Sequence, residues 1–191
     1  MTTAQIPWLG QLITVTLLPI RPATASTPAK MLFEDAAHAF VQLDAAAKAA
    51  GVRLTVNTAY RDHVYQQQLY DAYLAAKAAG QNPSVVARPG TSDHERGLSV
   101  DLDTGVPPEL RSGSKEQKAA SSPTYRWLHN NAAQWGFEND VSSEPWHWTY
   151  KNISAARMTA AAAGVAATST GGKAVGGLLL LGLAWALTRK G

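Results

Sequence analysis

The chain has 191 residues, enough for one domain with a real core plus some tail. Apolar residues make up 46% and charged residues 16%, which is not the composition of a disordered protein. Cysteine is absent, so disulfides, thiolate zinc sites and a cysteine nucleophile are excluded, and any metal must be held by His and carboxylates. The net charge of +3 and the pI near 9.2 suit a polyanionic neighbour such as cell wall but are also an ordinary solubility charge. No glycine-rich phosphate loop is present, and no nucleic-acid partner is expected.

Residues 1–28 are apolar and rich in Pro and Thr, and read as an N-terminal arm or a weak signal-like segment. A cleavable leader lacks its positive start here, because no Lys or Arg precedes Arg21. Lys30 to Ala50 carries Leu32, Ala36, Ala39, Phe40, Leu43 and Ala47 at helical spacing and stops at Gly51. Val52 to Asn57 is rich in β-formers and predicts a strand. A second helix is predicted over Asp62 to Ala79, with Val64, Leu69, Tyr73, Leu74 and Ala78 on its apolar side. Leu98 to Asp103 alternates and predicts a buried strand. Thr104 to Ser122, rich in Gly, Pro, Ser and charge, reads as an exposed insertion. Tyr125 to Trp135 predicts a third helix, and Trp146 to Tyr150 a short aromatic strand. Helices and strands mix without a βαβ repeat, so the fold class is α+β, a small antiparallel sheet with flanking helices. The domain is placed at 29–153.

The remainder is different. Residues 154–173 are mostly Ala, Gly, Thr and Ser and read as a linker. Residues 174–188 are uncharged and leucine-rich, and Arg189 and Lys190 follow. As a helix they span roughly 22 Å against about 30 Å of hydrocarbon. With Lys173 snorkelling and the Ala/Gly stretch added, the expectation is an apolar C-terminal membrane-anchor helix that leaves the domain outside.

Three short segments hold most of the residues able to do chemistry: Thr58 to Asp62, Ser92 to Asp101, and Glu144 to Trp148. A zinc site without cysteine needs three N/O ligands and an open position for water, with a carboxylate near enough to take the water's proton. His94 and Asp101 can converge because Gly97 lets the intervening loop turn back. His147 can supply a third ligand from another strand. Glu144, three residues earlier and followed by Pro145, can approach the water without being a ligand. Taken singly, each of these residues is more often solvated or structural than a ligand. His38, His63 and His129 read as ordinary surface or core histidines, and Trp146 and Trp148 as core and cleft wall.

The three segments resemble the VanY-type D-alanyl-D-alanine carboxypeptidases, within the LAS group of zinc peptidases that also contains dipeptidases, L,D-carboxypeptidases and phage endolysins. The family pattern is S-G-Y-R-S-x-x-x-Q, then S-E-H-x-x-G-x-A-x-D, then E-P-W-H. This chain reads TAYRDHVYQ, SDHERGLSVD and EPWH, in the same order. The likeness runs from about Phe40 to Tyr150. It implies an LAS/hedgehog-like peptidase domain, with Zn2+ bound by His94, Asp101 and His147, and Glu144 as general base. It implies that Arg61 holds the substrate carbonyl oxygen or its oxyanion. It further implies that Gln66 and Ser92 bind the peptide and its terminal carboxylate, and that Tyr60 shapes the pocket. Asp93, Ser99 and the pair Thr58-Ala59 depart from the pattern, which touches substrate choice more than catalysis.

The function the resemblance implies is hydrolysis of peptidoglycan stem peptides, first by removal of a terminal D-Ala. The rivals are a phage-type or bacterial endopeptidase and a non-catalytic wall-binding module on the same fold. The expected place is the cell envelope, anchored in the membrane and facing the wall, or else a phage lysis or virion protein.

Overall fold

A computed structural model describes residues 2–170. Two antiparallel sheets and five helices build an α+β domain. Strands β1 (Thr2–Trp8) and β2 (Gln11–Arg21) form a hairpin, and β3 (Lys30–Phe33) pairs with the other side of β2. The hairpin turns on Leu9 and Gly10, both at positive φ (47° and 78°), the two-residue turn whose twist matches antiparallel strands. Ile6, Val15 and Leu17 from this hairpin are at most 1% exposed and belong to the same core as the rest of the domain. Each such side chain contributes roughly 1.5–3 kcal/mol when fully buried.

Helix α1 (Glu34–Ala49) buries Ala36, Phe40, Leu43 and Ala47, the stripe expected from a 3.6-residue repeat. Its start differs from the sequence expectation: Lys30 to Phe33 are the edge strand β3, because they find an open partner in β2. Helix α2 (His63–Ala78) also departs. Only Gln66 is buried along it, while Val64 and Leu74, assigned to its apolar side, are exposed.

The second sheet has the order β4-β5-β7-β6, from β4 (Thr55–Thr58), β5 (Ser99–Asp103), β6 (Phe137–Glu138) and β7 (His147–Tyr150). Its register sets Asp101 opposite His147 and Ser99 opposite Thr149. Between β5 and β6 lie a 3-10 turn, α3 (Lys115–Ser121) and α4 (Pro123–Asn131). A Ser114/Gln117 capping box starts α3, and Ser122 with Pro123 starts α4. The segment read as an exposed insertion therefore has structure, and it buries Thr104, Val106, Lys118 and Ser122.

Helix α5 (Ala155–Thr170) occupies most of the stretch read as a linker. Alanine favours helix, and Met158, wholly buried, fixes α5 to the core. Arg157 adds ion pairs of 2.5 and 2.6 Å to Glu34 and Asp35 at the start of α1. The expectation of membrane anchoring is corrected here. Among the described residues no helix is long and apolar enough to cross a membrane, and 174–188 lie outside those residues.

Candidate active site

The loop before β5 turns sharply because its backbone bonds to itself. Gly97 N–H donates to the His94 carbonyl at 3.1 Å, and Leu98 N–H donates to the Asp93 carbonyl at 2.9 Å. Gly97 takes φ +70°, and its own carbonyl accepts from Phe33 N–H at 2.9 Å, pinning the loop to β3. His94 is thereby held at 1% exposure. Next to it, buried Glu95 accepts from Gly90 N–H at 2.7 Å and sits 2.8 Å from His63 Nδ1, which ties the loop to the start of α2.

Three ligand-type atoms converge. His94 Nε2 lies 3.1 Å from His147 Nδ1 and 3.2 Å from Asp101 Oδ1, and His147 Nδ1 lies 3.1 Å from that same oxygen. In a tetrahedral zinc site with bonds of about 2.0–2.1 Å, neighbouring ligand atoms stand roughly 3.3–3.4 Å apart. The triangle is close to that size. Hydrogen bonds also aim the lone pairs inward. His94 Nδ1 is 2.8 Å from the Ala59 carbonyl, which can only accept, so Nδ1 carries the hydrogen and Nε2 is free to ligate. His147 Nε2 is 3.1 Å from Thr149 Oγ1, leaving Nδ1 toward the triangle. Three acceptor atoms facing one point repel unless a cation or a proton sits between them, so this donor set fits a divalent ion.

The electrostatics agree. Burial raises the Asp101 carboxyl, but the two imidazoles of His147 and His94 against it outweigh that and hold the group well below the usual carboxylate range. Burial lowers His147, yet the adjacent Asp101 carboxylate outweighs that and pushes it above its ordinary value. Burial dominates at His94 and lowers it. The shifts of Asp101 and His147 favour positive charge beside the carboxylate, and that of His94 favours a neutral imidazole.

A cleft of about 740 Å³ opens over this triangle and is also lined by Arg61, Gln66, Ser92 and Glu144. Burial, helped by the nearby charge of Asp101, raises the Glu144 carboxyl above its ordinary value. Its turn is fixed from both sides. Glu144 N–H donates to the Val141 carbonyl at 2.9 Å, and the Asn139 amide bridges the carbonyls of Glu144 and His147 at 2.8 and 2.7 Å. Lys118, 1% exposed, donates to the Ser142 carbonyl of the same loop. Among the described residues, Arg61 Nε is buried without a hydrogen-bond partner, and so is Gln66 Oε1, while the Gln66 amide donates to the Ala87 carbonyl at 2.8 Å. Ser92 Oγ accepts from His94 N–H at 3.3 Å. Arg111, from the segment after β5, stands 5.0 Å over the Trp146 ring at the cleft rim.

The structure thus brings seven of the eight expected site residues to one cleft. Tyr60 is the exception: it packs against the core and does not line the cavity, and burial raises its phenol. Asn139, Asp140, Thr149 and Lys118 were not expected. A signal existed for Thr149, which stands two residues beyond His147 on one strand and so shares its face.

Residues 29–153 match the family model for VanY, D-alanyl-D-alanine carboxypeptidase. A D-alanyl-D-alanine carboxypeptidase of Enterococcus faecalis is 33% identical over 131 residues, covering 58% of this chain and 45% of that protein. The chain spans about half the length of the curated relatives it matches. Among solved structures, a mutant of the vancomycin-resistance D,D-pentapeptidase VanY in complex with Zn(II) is 27% identical, with a TM-score of 0.51. That likeness covers 76% of this chain and 82% of the other. The LdcB LD-carboxypeptidase is 26% identical at a TM-score of 0.51, covering 70% of this chain and 67% of its own. The family match takes in every strand from β3 to β7 and all three polar segments of the cleft, and the chain belongs to the VanY D-alanyl-D-alanine carboxypeptidase family.

Proposed function

We propose that this protein hydrolyses peptidoglycan stem peptides by a zinc-dependent mechanism and removes a terminal D-Ala. The observation that carries the reading is the triangle of His94, Asp101 and His147 in one cleft with a carboxyl, Glu144, whose proton affinity is raised. Similarity to a D-alanyl-D-alanine carboxypeptidase and to a D,D-pentapeptidase in complex with Zn(II) supports it.

His94, Asp101 and His147 would hold the ion, which when bound supplies Lewis acidity and makes a water acidic near neutral pH. Glu144 takes the proton of the attacking water and returns it to the leaving amine. A carboxyl raised toward neutral pH is better matched to both transfers than an ordinary one. Arg61 offers a fixed cation, and burial has already removed much of its solvent shell. Facing the carbonyl oxygen, it stabilises the charge that builds there. The unpartnered Oε1 of Gln66 can accept a peptide N–H, and Ser92 Oγ retains a hydrogen for the terminal carboxylate.

The test is mass spectrometry of defined stem peptides incubated with the purified chain, with zinc and with chelator. Metal-dependent loss of one terminal D-Ala is expected. Internal cleavage would replace this reading with an endopeptidase, and no cleavage by zinc-loaded protein would overturn the catalytic reading.

A further inference from the structure

Thr149 is a buried hydroxyl with three polar neighbours, and their chemistry fixes every hydrogen. Its Oγ1 lies 3.0 Å from Asp140 Oδ1, 2.9 Å from Ser99 Oγ and 3.1 Å from His147 Nε2. An ionised carboxylate only accepts, so the single hydroxyl hydrogen of Thr149 goes to Asp140. The Thr149 lone pairs then receive Ser99 O–H and His147 Nε2–H. Asp140 cannot take the imidazole hydrogen directly, since its oxygen is 3.9 Å away. Lys151 holds the other Asp140 oxygen at 2.6 Å and keeps the carboxylate aimed at the threonine.

We propose that Asp140 and Thr149 are positioning residues that lock His147 with its hydrogen on Nε2 and its Nδ1 lone pair toward the metal triangle. This rests on the zinc reading above. Were the hydroxyl absent, no other group among the described residues would stand within hydrogen-bond reach of the Nε2 hydrogen. The Nδ1 position, 3.1 Å from Asp101, would then be free to carry the proton and block ligation. Neither residue contributes a ligand atom to the triangle, so each acts through His147. Partners of this kind typically contribute about 10–100-fold to metal affinity.

The experiment measures the zinc dissociation constant of the full chain by chelator competition. It also measures solvent exchange of the His147 Nε2–H proton by NMR in the zinc-loaded chain. Thr149→Val is expected to weaken zinc binding about 10-fold or more and to speed that exchange. Thr149→Ser, which keeps the hydroxyl, is expected to stay within about threefold of the parent. Asp140→Ala, at the surface, should weaken binding by at least about threefold and serves where the valine variant fails to fold. Zinc affinity and exchange left unchanged by Thr149→Val or, where that variant does not fold, by Asp140→Ala would overturn the proposal. So would Thr149→Ser behaving like Thr149→Val. Failure of the metal reading looks different: His94→Ala would then bind zinc as well as the parent chain.

Discussion

Replacing Gly97 by alanine should damage stability and metal binding together. Gly97 sits at φ +70°, where a side chain costs about 1–3 kcal/mol. An added Cβ would lie 2.8 Å from Phe33 N and 3.2 Å from Leu17 Cδ2. The leucine methyl can turn away, but the Phe33 nitrogen is backbone, and it donates to Gly97 O at 2.9 Å in the parent. Relief therefore requires the loop to leave β3, for which overpacking costs of about 1–3 kcal/mol are typical. Together the loss is about 2–6 kcal/mol, or roughly 4–24 °C in melting temperature for a domain of this size. The same movement carries His94, whose carbonyl accepts from Gly97 N–H, away from Asp101. Thermal unfolding of the metal-free chain, followed by circular dichroism, measures the first effect, and chelator competition measures the second. A variant melting within about 2 °C of the parent, with equal zinc affinity, would refute the reasoning.

Glu144→Gln should lower kcat by about 10²–10⁴ and leave zinc content unchanged; full activity would remove the base from the mechanism. The acid limb of kcat/KM should lie above the ordinary glutamate value of about 4.3. The base works only when ionised, and a raised pKa means that ionisation is lost sooner as pH falls. An acid limb at or below the ordinary value would sink that assignment. Met158→Ala should cost about 2–5 kcal/mol in urea unfolding, because Met158 is wholly buried where α5 meets the core. An unchanged midpoint would mean that α5 contributes nothing to the cooperative unit.

The cleft was legible because most of its polar residues stand in three short segments, two of which turn locally at Gly97 and Pro145. What the sequence left open was decided by neighbours distant along the chain. Lys30 to Phe33 have apolar positions compatible with helix, and only the free side of β2 makes them a strand. The apolar residues of α2 suggest a buried face, yet the helix turns Gln66 inward, toward the cleft it helps to line. Lys118 looks like a surface lysine in a charged insertion, and nothing local says that the Ser142 carbonyl waits for it. Tyr60 precedes a cleft residue but packs against the core, which a motif written in one dimension does not distinguish.

Asp101 and His147 face each other across β5 and β7, 46 residues apart in sequence. A slip of one residue in that pairing would send one of them to the opposite face of the sheet. Forming the cleft therefore requires a long loop to close in one register, and collapse alone does not create it. An ion that binds only the correctly paired strands draws the population toward them by mass action. Loaded chains should then unfold more slowly than empty ones, and the metal would serve as a latch on strand register as well as a reagent.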